Sequence, residues 1–86
     1  MDHLHRTVTT LAGQSIVVTL TAQANVIVLD ELNYQAYRRG GKYRYFGGHA
    51  ERSPVTITPP HSGRWHVVID LGGRSGRVGA SVSVIG

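Results

Sequence analysis

The stretch GRWHVVIDL, residues Gly63 to Leu71, decides how the rest of the chain is read. Trp65, Val67, Ile69 and Leu71 occupy every second position, so an extended backbone sends all four to one face. His66, Val68 and Asp70 point the other way. The preceding PPHSG is a turn, because proline fixes the backbone and Ser-Gly lets it reverse into the strand. Trp65 is therefore predicted to anchor the core.

On either side the chain reads as short β runs punctuated by glycine and proline. LHRTVTT (4–10) is a weaker first strand, and QSIVVTLT (14–21) places Ile16, Val18 and Leu20 on one face. ANVIVLD (24–30) is apolar on both faces, which suits a central strand. SPVTITPP (53–60) alternates Val55 and Ile57 against Thr56 and Thr58. RVGASVSVI (77–85) gathers Val78, Ala80, Val82 and Val84 opposite Ser81 and Ser83. DELNYQAYRR (30–39) is the single helical candidate, with Asp30 as its cap and Gly40 as its stop. The expected fold is all-β: a small β-sandwich or jelly-roll-like barrel, one domain over 1–86, with at most one short helix near residues 31–39.

The chain has 86 residues and no cysteine, so neither a disulfide nor a thiolate metal site braces it. A chain this short buries only about 60% of its unfolded surface, and its core is small. The first twenty residues lack the apolar run of a signal peptide, and no run approaches the length of a membrane span. A cytoplasmic protein without a membrane partner is expected. The formal charge is +4, which favours acidic partners but is also ordinary for a small soluble domain.

The distribution of that charge is more telling. Five of the nine Lys and Arg residues lie between Arg38 and Arg52. YRRGGKYRYFGGH (37–49) combines Arg38, Arg39, Lys42 and Arg44 with Tyr43, Tyr45 and His49, and contains no acid. Arginine forks match phosphate or carboxylate, and tyrosines stack on flat groups. The same letters also describe a solvated edge hairpin, with cations deterring sheet-to-sheet pairing and tyrosines packed inward. In a regular strand Lys42, Arg44 and Phe46 share one face and Tyr43 and Tyr45 the other. The tyrosines are thus expected to face the core, and the RRGG and FGG pairs to make turns. Phe46 breaks that clean division.

Other constellations are weaker. His66 and Asp70 share a face but lie about 13 Å apart along a strand, too far to bond. Ser62 beside His61 lacks a third group to orient a base. His3 and His5 share a strand face, yet no metal-binding spacing completes a site, so no metal and no cofactor is expected. DLGGRSGRVG (70–79), with Arg74 and Arg77, offers an anion nest; a hairpin between the last two strands is the preferred reading.

A longer run carries a resemblance. Ser53, Pro54 and Val55, then Pro60, His61, Ser62, Gly63, Trp65, His66, Asp70, Gly72, Gly73 and Gly76, follow the pattern S-P-V…P-H-S-G-x-W-H-V-V-I-D-L-G-G-x-x-G. From Leu4 onward the chain resembles a bacterial family of small domains of unknown function, found alone or fused to TIR modules. The resemblance brings no activity and no catalytic residue, and the fusions imply a recognition or sensing role. The leading expectation is a non-enzymatic module that binds an anionic or aromatic ligand, or a protein partner. Arg38, Arg39, Lys42, Tyr43, Arg44, Tyr45 and His49 would carry it, with His61, His66, Arg74 and Arg77 as secondary candidates. Nucleic-acid binding is the second reading, unsupported by any RNA-binding signature. A hydrolase or metal-dependent enzyme is the third. The sequence does not define an oligomeric state.

Overall fold

The structure, a computed structural model, describes residues 3–73 and 76–86. Its elements follow in the order β1 (Leu4–Thr10), β2 (Ser15–Leu20), β3 (Ala24–Leu29), α1 (Glu31–Arg38), β4 (Phe46–Ala50), β5 (Val55–Ile57), β6 (Gly63–Asp70) and β7 (Ala80–Ile85). The strands form two antiparallel sheets, ordered β1-β6-β3-β4 and β5-β2-β7. Except for the link from β3 through α1 to β4, every connection leaves one sheet for the other. This is a small all-β sandwich with one short helix.

Alternation explains the core. Ile16 and Val18 of β2 meet Val26 and Val28 of β3 and Trp65, Val67 and Ile69 of β6, all essentially without solvent contact. Val55, Ile57, Ala80 and Val82 pack against them from the edges of the smaller sheet. β3 is apolar on both faces because both are covered. Ile27 and Leu29 look outward and are buried with Val68 under Tyr34 of α1. The helix begins where Asp30 Oδ1 accepts from the Asn33 backbone N–H at 2.8 Å. It ends at Gly40, whose φ of 77° suits glycine.

Three local expectations are corrected. FGG is not a turn but the start of β4, paired with β3 from Val28↔Phe46 to Ala24↔Ala50. Alternation gives no sign of such a strand, because Gly47 has no side chain to show. Nor does YRRGGKYRYFGGH form a hairpin: it runs from the end of α1 through irregular backbone at 41–45 into β4. Finally, β6 and β7 do not form a hairpin. They lie in different sheets, and the glycine-rich link carries the chain from one layer to the other. Within that link the Gly72 N–H donates to Asp70 Oδ1 at 2.7 Å. Arg74 lies outside the described residues, and Arg77 is exposed. Among the described residues no helix is long and apolar enough to cross a membrane.

Candidate functional site

One end of the sandwich is open. It lies where β3 finishes and where β4 and β6 begin. A concavity of about 650 Å³ is lined there by Val28, Asp30, Asn33, Tyr43, Arg44, Tyr45, Phe46, Pro60, His61 and Trp65. Val28 and the Trp65 indole are core groups at its base. Phe46 and His61 meet that indole at ring-centroid distances of 6.0 and 4.8 Å. Trp65 Nε1–H donates to the His61 carbonyl at 3.3 Å, which ties the loop after β5 to the base. Tyr43, Tyr45 and Phe46 are 36%, 49% and 43% exposed, a large aromatic surface for so small a domain.

The expectation that Tyr43 and Tyr45 face the core is therefore overturned. It rested on strand periodicity, and the backbone at 41–45 is not a strand. Asn33 shapes this irregular segment. Its Oδ1 accepts from the Arg44 backbone N–H at 2.8 Å, while its Nδ2 donates to Asp30 Oδ1 at 2.9 Å. One amide thus joins the first turn of α1 to the chain ahead of β4, and Tyr43, Arg44 and Tyr45 come to line the same concavity. Among the described residues the Arg44 guanidinium has no side-chain partner.

Of the other sequence candidates, Arg38, Arg39 and Lys42 are exposed at the end of α1 and just beyond it, outside the lining. His49 stands elsewhere on β4, beside a shallower hollow of about 480 Å³ with Glu51 and Arg52. Its Nδ1 lies 3.3 Å from Asn25 Oδ1, and Asn25 Nδ2 in turn donates to Asp70 Oδ1 at 3.0 Å. His61 joins the concavity with Nδ1–H donating to the Ser62 carbonyl at 2.9 Å. Sequence reasoning overlooked Asp30, Asn33, Pro60 and Phe46 as lining residues and counted Trp65 as core alone. Phe46, the residue that spoiled the two-face pattern, was the available signal.

His66 belongs to a second constellation, on the outer face of the larger sheet. It is 3% exposed. Its Nε2 lies 2.7 Å from Glu31 Oε1 and its Nδ1 2.8 Å from His5 Nε2. A carboxylate only accepts, so His66 Nε2–H donates to Glu31 and its bare Nδ1 accepts from His5 Nε2–H. The Tyr34 ring lies flat over both imidazoles, 4.0 Å from His66 and 4.5 Å from His5. Further ring contacts run from Tyr34 to Tyr37, Tyr43 and Tyr45 at the concavity. β1, β6 and α1 are thus pinned together, and α1 is the helix that supplies Asp30 and Asn33. His3 packs edge-on against Tyr37. Among the described residues no group of three or more His, Cys, Asp or Glu side chains is placed to hold a metal ion.

This cluster has a pH signature. Burial, then the neighbouring His66, and after them His3, Arg38 and Arg6, hold His5 below its ordinary 6.5. Hydrogen bonds from Gln35 and His66 hold the half-exposed Glu31 below its ordinary 4.5, with Arg64 adding a smaller pull in the same direction. The folded chain resists protonating His5, so below pH 6.5 the unfolded chain binds more protons and stability falls with pH. Glu31 adds a second decline as pH falls below 4.5. Urea midpoints are expected to fall steadily from about pH 7.5 to about pH 5, with His5→Gln reducing the slope near neutrality. Equal slopes in the two proteins would show that folding does not lower the His5 pKa.

The fold and its open end define the class: a small two-sheet β-sandwich with a helix laid on the outer face of one sheet. The chain belongs to the family described as Domain of unknown function (DUF1883), whose model matches residues 1–86. No curated protein and no solved structure matches it.

Proposed function

We propose that this protein is a non-enzymatic recognition module that takes a flat, negatively charged group into the open end of its sandwich. The observation that supports this is the meeting of Tyr43, Arg44 and Tyr45 with Phe46, His61 and Trp65 around one concavity. Small-ligand sites are concave, mostly apolar, and carry a few placed polar groups, within about 300–1,000 Å³. Exposed aromatic rings are costly to leave in water unless something covers them. A guanidinium without a partner supplies forked donors for an anion. The TIR fusions of the family that the chain resembles fit a sensing role.

Single-stranded nucleic acid is the second reading, favoured by exposed Arg38, Arg39 and Lys42 near the tyrosines. Salt separates the two. Titration with phenyl phosphate is expected to give an affinity that changes little between low salt and about 150 mM, whereas an oligonucleotide held by phosphate contacts would lose orders of magnitude. Tyr45→Ala is expected to weaken phenyl phosphate about tenfold or more, since one stacked ring contributes about 1–3 kcal/mol. Replacing Arg38, Arg39 and Lys42 together with Ser should leave both that binding and the melting temperature nearly unchanged. Oligonucleotide binding that falls steeply with salt and is lost in the triple variant, with no binding of phenyl phosphate, would replace the first reading with the second.

A further inference from the structure

We infer that the ligand of this concavity is a nucleoside monophosphate; the inference rests on the recognition reading above and gives it a chemical class. Three features at the open end ask for three different groups on one molecule. The first is the aromatic wall of Tyr43, Tyr45, Phe46 and His61 over the Trp65 indole, which calls for a flat ring. The second is Arg44, whose backbone is fixed by Asn33 while its guanidinium has no partner among the described residues. It calls for an anion with more than one acceptor oxygen.

The third is Asp30. Its Oδ1 accepts from the Asn33 backbone N–H and from Asn33 Nδ2. Its Oδ2 has no partner among the described residues, and the residue lines the concavity. A carboxylate oxygen there calls for a donor, such as a sugar hydroxyl or an exocyclic amine. An aromatic acid supplies the ring and the anion but leaves Asp30 unanswered, with its own charge beside a carboxylate. A sugar phosphate supplies the donor and the anion but gives the aromatic wall nothing flat to stack on. A nucleoside monophosphate carries all three groups, and a concavity of about 650 Å³ has room for a ligand of that size. His61, with Nδ1–H committed to the Ser62 carbonyl, leaves a bare Nε2 to accept from an amine of the base.

The test is a calorimetric comparison of AMP, UMP, adenosine, inorganic phosphate and phenyl phosphate, with Trp65 emission as the local reporter. AMP or UMP is expected to bind at least about tenfold more tightly than adenosine and than phenyl phosphate, as the loss of one charge-assisted hydrogen bond predicts. Arg44→Ser should bring AMP down to the affinity of adenosine and leave adenosine unchanged. Asp30→Asn should bring AMP down to the level of phenyl phosphate. The melting temperature should hold in that variant, because asparagine caps a helix as well as aspartate does. Nucleotides that bind no more tightly than phenyl phosphate, or that ignore Asp30→Asn, would overturn this inference. The wider recognition reading would then stand on the loss of phenyl phosphate binding in Tyr45→Ala. No response to any of the five probes would remove both.

Discussion

Trp65→Ala is expected to leave the domain unfolded, or barely folded, at room temperature. The indole is 1% exposed and sits at the junction of β6, β3 and the β5–β6 loop. Removing a buried tryptophan costs about 3–5 kcal/mol. A domain of this length holds in total about 4–13 kcal/mol. The corresponding fall in melting temperature is about 12–40 °C. Circular dichroism melts of the variant beside Trp65→Phe would measure it. Phenylalanine keeps a ring between His61 and Phe46 and loses only the indole N–H bond, so its loss should be much smaller. An unshifted melt in the alanine variant would place the indole at the surface and displace the β6 register by one residue.

Gly47→Ala is the second large effect expected. Gly47 has a φ of 105°, and a Cβ there would stand 2.2 Å from the Val26 carbonyl oxygen and 3.2 Å from Ile57 Cδ1. The first obstacle is backbone of the neighbouring central strand and has nowhere to go. Strain at such a φ alone costs about 1–3 kcal/mol, before the overlap is counted. Gly48→Ala is the matched control. Its φ of 149° is also positive, but nothing lies within 4 Å of the added carbon. The difference between the two melting temperatures isolates the overlap, and equal losses would mean that β4 does not lie against β3 as described. Because Phe46 and Tyr45 adjoin this glycine, Gly47→Ala should also lower affinity at the open end.

Periodicity revealed the elements whose side chains face a core and concealed the rest. Trp65, Val67 and Ile69 are unambiguous because each hides against the second sheet. The doubly apolar run of β3 made sense as a central strand, and the structure supplies the reason: Val26 and Val28 face the sandwich while Ile27 and Leu29 lie beneath the helix. β4 was illegible because two glycines at its centre remove the pattern by which a strand is recognised. Tyr43 and Tyr45 were misread because an alternation rule was applied to backbone held irregular by one asparagine ten and more residues upstream. Nothing local to Asn33 or Arg44 announces that bond. The same holds for His66, whose partners Glu31 and His5 lie 35 and 61 residues away in sequence.

The alternation of the chain between layers bears on how the molecule comes into being. Its paired strands are all distant in sequence: the closest partners in the ladders are Val28 and Phe46, and β1 has no neighbour until β6 exists. Folding must therefore close long loops before any ladder compensates their lost entropy, which places such a topology toward the slow, millisecond-to-second end of small domains. Synthesis meets the same constraint. A nascent chain that ends before β6 has lost the strand that joins β1 to β3, and one that ends before β7 leaves β2 with only the three residues of β5 beside it. The domain is made to assemble late, and a chain shortened from its carboxyl end loses first the longer partner of β2 and then the strand that joins β1 to β3.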